Sequence, residues 1–262
     1  MKKSNSILLT FDVEEFDLPT EYNIAISETE QMEIGKLGTD EISKIITAQN
    51  ITTTLFTTAN FAKHFPSTIK LLAQKNEIAS HAFYHSTFKN EDLLQSKIEL
   101  EKITEKPIYG LRMPRFKKID LQLVKNAGYT YDSSINPTYM PGRYNNLKIS
   151  RTIFAQNNFV IVPTSVTPIC RFPLFWMAFK NIPYAVYKKM ALKTLKKDGY
   201  LSLYFHPWEF TDISKFKLPF YLKKYSGNKL SDNLSQLITD LKNEAEFKTI
   251  SNFLADYPTF PQ

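Results

Sequence analysis

Two hydrophobic rhythms alternate along the chain. Short runs of aliphatic, aromatic and β-branched residues, the opening "LLTFDVEEF" and then "TTTLFTT", "EIASHA", "PIYGLRM", "TYDSSI", "FVIVPTSV" and "YLSLYF", have the length and composition of strands. Between them lie stretches whose apolar residues recur at helical spacing. In "TDEISKIITAQN" these are Ile42, Ile45 and Ile46, and in "NEDLLQSKIELEKITE" Leu94 and Ile98 are read as part of one apolar face. "PSTIKLLAQKN" opens on a helix-starting proline, and "KIDLQLVKNAGY", "IPYAVYKKMALKTLKKDG" and "DNLSQLITDLKNE" continue the series. Strand and helix in regular succession predict an α/β protein built on a parallel sheet. The rhythm loosens over about 137–183, where prolines and paired asparagines suggest an insertion carrying one strand.

Composition narrows this only slightly. A chain of 262 residues with 43% hydrophobic and 14% aromatic residues builds a sizeable core, and α/β folds of this length are commonly one domain, here residues 1–262. The start, "MKKSNSILLTFDVEEF", has a brief apolar run broken by acids, so neither a signal peptide nor a membrane span is expected and a cytoplasmic protein is. The single cysteine, Cys170, excludes an internal disulfide and is read as a small buried residue. A net charge of +7 is spread along the whole chain, which speaks for a solvated basic surface and against a nucleic-acid partner. One segment invites a second reading: Phe172, Phe175, Trp176 and Phe179 precede a run of lysines, a composition suited to peripheral contact with an anionic membrane face.

The unusual polar residues all sit where a predicted strand ends. Asp12 follows the first strand, His81 and His85 the third, Arg112 "IYGL", Asp132 "YTY", and His206 "YLSLYF". In parallel α/β folds that edge is where sites form, and contributions from so many strands favour a barrel mouth. Three of the four histidines lie there; His64, in "AKHFPS", is read as a surface residue. "SHAFYH" spaces two imidazoles four apart, a weak signal alone, but with a carboxylate from another strand it makes a set that leaves a metal open to water and substrate. Arg112 in "GLRMPRF" is suited to holding a catalytic carboxylate ionised, and His206 to giving a proton to a leaving amine, with Asp132 as its orienting carboxylate.

These residues resemble the polysaccharide deacetylases of carbohydrate esterase family four. "TFDVEEF", "SHAFYH", "RMPRF", "DSS" and "LYFHPWEF" appear in that family's order from Thr10 to Phe210, and the tail "LSQLITDLKNEAEFKTISNFL" is similar to the end of its exopolysaccharide-biosynthesis branch. The resemblance implies a distorted (β/α)7 barrel and a divalent metal, usually zinc, serving hydrolysis of an N-acetyl group from an N-acetylhexosamine. It implies Asp12 as general base, His206 as general acid, Arg112 and Asp132 as their charged partners, and His81 and His85 as metal ligands. Pro114 would shape the groove wall, the Arg115 N–H would support the oxyanion, and Phe116 and Trp208 would line the substrate side. Most members carry aspartate directly after the base; here Val13 stands there, as in a divergent D-V-E branch whose ligand lies two positions on. That assigns the ligand to Glu14, on the same face of an extended chain as Asp12, and leaves Glu15 as the alternative that points elsewhere. The substrate expected is a saccharide or a nucleotide- or lipid-linked precursor at the inner membrane face. The rivals are a cyclic imide or ureide hydrolase and a non-catalytic carbohydrate-binding protein.

Overall fold

In a computed structural model, which describes residues 5–257, the first run forms strand β1, Ser6–Val13, buried over its whole length. The lysines of the N-terminal reading, Lys2 and Lys3, lie outside the described residues. The other strands are β2 (Thr54–Thr57), β3 (Glu77–Ser80), β4 (Gly110–Leu111), β5 (Tyr131–Asp132), β6 (Tyr139–Met140), β7 (Tyr144–Asn145), β8 (Phe154–Gln156), β9 (Phe159–Ile161), β10 (Tyr200–Phe205) and β11 (Glu246–Phe247). Seven of them run parallel in the order β10-β1-β2-β3-β4-β5-β9, with β8 antiparallel on β9 and β11 beside the start of β1. The sheet curls, and past β9 the Ser165 N–H donates to the Ser202 carbonyl at 2.8 Å while Ser202 N–H donates to Ser165 Oγ at 2.9 Å. A serine thus joins the two ends of the sheet where ladder pairing stops, and the result is a distorted (β/α)7 barrel in one domain.

The helices are α1 (Glu28–Ala48), α2 (Ala59–His64), α3 (Pro66–Leu72), α4 (Asp92–Thr104), α5 (Leu121–Asn126), α6 (Trp176–Asn181), α7 (Tyr184–Asp198), α8 (Phe220–Lys223), α9 (Asn228–Lys242) and α10 (Ile250–Ala255). Strand alternation divides β1 between two cores. Ile7, Leu9, Phe11 and Val13 join the large cluster under the helices, whereas Leu8 joins Phe56, Ala79 and Tyr131 in a second cluster to which α10 contributes Ile250 and Phe253. Thr10, Asp12 and Glu14 share the Leu8 parity, so the face that is apolar low in the strand becomes polar at its carboxyl end.

Helix α1 begins eleven residues before the periodic stretch that announced it, capped by Ser27, whose hydroxyl accepts from Glu30 N–H. The unannounced part contains Gly35 and Gly38. A Cβ at Gly35 would stand 2.4 Å from the Glu14 carbonyl, and one at Gly38 would stand 2.1 Å from the Pro207 carbonyl. Only glycine lets the helix touch both turns, which fixes the end of β1 and the turn after β10 against one rigid element.

Several expectations change. The buried face of α4 is Leu93, Ser96, Leu100 and Thr104, while Leu94 and Ile98 face solvent, because packing selects the stripe one position away from the one chosen by apolarity. Cys170 is exposed rather than buried. Phe175, Trp176 and Phe179 are buried, packed against Tyr204, His206 and Phe205 respectively, so they are not free to enter a membrane interface; only Phe172 is partly open. No helix among the described residues is long and apolar enough to cross a membrane.

Candidate active site

The carboxyl ends of the parallel strands converge as anticipated. Asp12, at the end of β1, accepts from Arg112 Nη1 at 2.6 Å. Arg112 is fully buried just past β4, and its remaining directions are fixed by Thr10 Oγ1, Ser133 Oγ and the Ser133 carbonyl, with the guanidinium 4.0 Å from the Phe56 ring centroid. A buried cation so held keeps the Asp12 carboxylate in one orientation.

Two residues on, Glu14 points into the same space. Its Oε1 accepts from Trp208 Nε1 at 3.1 Å, and its Oε2 stands 3.1 Å from Nε2 of both His81 and His85. Those imidazoles are aimed through their other nitrogens: His81 Nδ1 donates to the Arg112 carbonyl at 2.7 Å and His85 Nδ1 to Asp17 Oδ1 at 2.8 Å. The backbone between them is a turn rather than a helix, with Ala82 at φ 59°, a conformation L-residues seldom adopt; Ser80 Oγ accepts the Ala82 N–H and the Ala82 carbonyl accepts from Ser96 Oγ. Burial opposes ionisation of Glu14, but the charge of His85 leads a set of neighbours that hold its carboxyl well below the usual range. Burial likewise works against a charged His85, yet Glu14 and Asp17 push it up to about 9.

Whether this trio suits a divalent cation is answered by its donor atoms. Glu14 Oε2 is buried and, among the described residues, takes no well-formed hydrogen bond, and one ligand atom from each of Glu14, His81 and His85 lies within 4.8 Å of the others. With both Nδ1 atoms bonded outward, both Nε2 atoms face Glu14, and once His85 gives up its Nε2 proton the pair has the arrangement that orients metal-binding histidines. The residues fit.

Glu15, the alternative ligand, is committed elsewhere. It is buried, accepts from Thr58 Oγ1 at 2.8 Å and from the His85 N–H at 3.1 Å, and so anchors the turn that carries His85.

His206 leaves β10 with Nε2 4.0 Å from Asp12 Oδ2, its ring stacked on Trp208 and met edge-on by Trp176. The expected partnership with Asp132 does not form. Asp132 is buried at the end of β5 and receives the N–H and hydroxyl of Ser134; burial pushes its carboxyl up to about 6, against those bonds and the Arg112 charge. The carboxylate at His206 is instead Glu209, whose Oε1 stands 3.2 Å from Nδ1 and accepts the His206 N–H at 2.9 Å. The short Pro207–Phe210 turn brings it back because it lies only three residues on. Burial disfavours a charged His206, but Glu209 leads the groups that raise its pKa. Glu209 in turn faces Lys180 of α6 at 2.8 Å, both side chains being wholly inaccessible. Lys180 also donates to the Leu222 carbonyl at 3.0 Å. The acid of "HPWEF" was on view in the sequence; Lys180, 29 positions earlier in an irregular segment, carried no signal.

Above these groups lies a cavity of about 330 Å³. Phe116, Arg115 and Trp208 line it; Pro114 is buried in the turn and is not among the lining residues. Arg115, at φ 55°, sends its guanidinium to Asp17 at 2.9 Å, Glu21 at 2.6 Å and the His85 carbonyl at 3.1 Å. Asp17 thus links Arg115 to His85, a role the sequence reading missed although the acid stands in the same run as Glu14. His64 is exposed at the end of α2.

Residues 2–131 match the family model described as polysaccharide deacetylase, a span that includes Asp12, Glu14, both histidines and Arg112. No curated protein sequence matches. Among solved structures the chain is similar to one from Mycobacterium smegmatis assigned to the polysaccharide deacetylases, at 16% identity and TM-score 0.66, covering 100% of this chain and 94% of that one. It is also similar to the PuuE allantoinase, at 14% identity and TM-score 0.66 over 98% and 91% of the two chains. A family-four carbohydrate esterase pseudoenzyme from Bacillus anthracis matches at 12% identity and TM-score 0.54 over 97% and 66%. With the polysaccharide deacetylase model matched from the start of the chain to the first residue of β5, and the same fold spanning the whole chain, the protein is similar to the polysaccharide deacetylases in the sequence of its first half and in fold throughout.

Proposed function

We propose that the protein is a divalent-metal-dependent hydrolase that removes the N-acetyl group from an N-acetylhexosamine in a saccharide or in its nucleotide- or lipid-linked precursor. The observation that carries this reading is the convergence of Glu14 Oε2 with Nε2 of His81 and His85, beside an acid–base pair and under one cavity. One carboxylate and two imidazoles form a donor set suited to zinc with positions left for water and substrate. A cation held there supplies a Lewis acid for the acetamide carbonyl and lowers the pKa of water toward about 7.

The chain's own groups perform the proton transfers. Asp12, held by Arg112, takes a proton from the attacking water at its free oxygen. His206, its pKa raised by Glu209, gives its Nε2 proton to the departing sugar nitrogen, so the amine leaves neutral with acetic acid; the proton that the acid sheds as it becomes acetate restores His206, and Asp12 returns the proton taken from water to solvent. Glu209 fixes the ring through Nδ1, as a carboxylate does for other catalytic imidazoles, while the Arg115 N–H supports the oxyanion. Trp208 holds Glu14 from the side of the acid, tying the two halves of the site together.

Asp12→Asn is expected to retain bound zinc while losing most acetate release, and His81→Ala to lose zinc; full activity in either variant overturns the assignment. A second reading, hydrolysis of a cyclic ureide or imide, is favoured by the allantoinase likeness, whose TM-score of 0.66 equals that of the deacetylase neighbour. Comparing acetate release from N-acetylhexosamines with ring opening of small ureides separates the two.

A further inference from the structure

The walls above the site are joined in an unbroken circuit. On one side the turn Leu18–Tyr22 meets the β6–β7 hairpin, where Arg143 Nη2 donates to Glu21 Oε2 at 3.1 Å. The base of that hairpin is tied to the stretch before α6: Arg171 Nη1 donates to the Pro137 and Ile149 carbonyls at 3.2 and 2.7 Å, and Thr138 Oγ1 donates to the Arg171 carbonyl at 2.7 Å. From α6, Asn181 Nδ2 reaches the Tyr221 carbonyl of α8 at 2.8 Å. Tyr221 then closes the loop, its hydroxyl 3.5 Å from that of Tyr22.

A polymer bound through an internal residue must leave the site in two directions, so it needs a groove open at both ends. A rim in contact all the way round, bonded except where the two tyrosine hydroxyls face each other, offers one entrance. Beneath it the space is about 330 Å³, at the lower end of ligand cavities, which run from about 300 to 1,000 Å³, and Met140, Phe175, Trp176 and Tyr204 give its lining an apolar and aromatic share beside the charged groups. That accommodates one sugar ring with its acyl group, entering end-on.

Resting on the N-deacetylase reading, we infer that the substrate is the terminal residue of a short or end-presented N-acylated saccharide, and that internal residues of a threaded polymer are not processed. The shared chemistry is a single N-acylated ring with a free end, whether a monosaccharide unit or the end of a chain.

The test uses the zinc-loaded protein with N-acetylglucosamine and its linear dimer, tetramer and hexamer, following acetate and locating each free amine by tandem mass spectrometry. The expected result is at most one acetate per chain, always from an end, with kcat/KM per chain changing less than about threefold from dimer to hexamer, since the added sugars lie outside the rim and gain no transition-state contacts. The monosaccharide arm separates the two sources: turnover of it at a comparable rate assigns a free sugar unit, and turnover of oligomers alone assigns a chain end. Multiple acetates from internal residues would overturn the inference while leaving the deacetylase reading intact. Acetate from none of the sugars would overturn the deacetylase reading and the inference with it. Tyr221→Ala and Arg143→Ala each open the circuit at a different point and are expected to bring internal deacetylation of the hexamer up at least tenfold. A product pattern unchanged in both would refute the rim as the cause.

Discussion

Replacing Lys180 with methionine removes a charge from a place where water cannot replace it. Lys180 and Glu209 are both wholly inaccessible and stand 2.8 Å apart, so the substitution leaves a carboxylate oxygen facing hydrocarbon and strips a donor from the Leu222 carbonyl. Breaking one side of a buried pair costs about 3–5 kcal/mol. Glu209 keeps two donors from His206 on its other oxygen, at 2.9 and 3.2 Å, which places the expected cost near the lower limit, about 3 kcal/mol. The companion Lys180→Met/Glu209→Gln carries no unpaired charge and should recover about 2 kcal/mol of the summed single-variant losses. Urea denaturation at neutral pH, read by circular dichroism with a common slope across the four proteins, gives the cycle directly. The coupling should be nearly the same at low and high salt, because buried charges are poorly screened. Additive losses, or a Lys180→Met cost below about 1 kcal/mol, the range of exposed ion pairs, would refute the assignment of this lysine as the partner that Glu209 requires.

Glu209→Gln should also move the alkaline limb of kcat/KM to lower pH, since Glu209 is foremost among the groups raising the His206 pKa; an unmoved limb would show that another group holds the proton. Asp132 should make the protein less stable as pH rises: its folded pKa of about 6 lies above the ordinary 3.8, so its contribution is fully present below about 4 and is lost on passing 6. The span corresponds to about 3 kcal/mol, and denaturation midpoints of Asp132→Asn against pH should lack that slope. Zinc binding at neutral pH should release about one proton, because His85, held up to about 9, must give up its Nε2 proton to become a ligand; calorimetry in buffers of different ionisation enthalpy counts it. Gly38→Ala should lower the thermal midpoint and turnover together, since its Cβ would meet the Pro207 carbonyl at 2.1 Å; overpacking of this kind costs about 1–3 kcal/mol.

What could be read from the sequence was set by range. The pairing of Asp12 with Glu14 follows from strand periodicity, and the convergence of strand ends follows from parallel topology. Both are local or topological properties. Asp132 and His206 each stand at a strand end, yet adjacency at a barrel mouth does not decide which carboxylate meets which imidazole. Glu209 prevails because a single turn returns it to His206, while Asp132 is drawn to Ser134. The anchoring role of Glu15 was not legible because its partners, Thr58 and the His85 N–H, come from other strands' loops. Lys180 was illegible because an isolated lysine ordinarily faces solvent, and only tertiary packing buries this one. The start of α1 was missed for the opposite reason: Gly35 and Gly38 weaken a helix locally and are tolerated for their close contacts.

Lys180 belongs to the irregular segment that also walls the mouth, and this links two properties usually treated as separable. Loops around a barrel mouth are natural units for exchange between relatives, each supplying new preferences to an unchanged catalytic floor. Here the floor extends into the loop. A chimera that imported another segment between β9 and α7 would replace the counter-charge of Glu209 along with the wall, and its proton donor would be detuned before any new substrate was met. Diversification at this mouth must therefore proceed around one fixed lysine, or bring its own cation to the same spot.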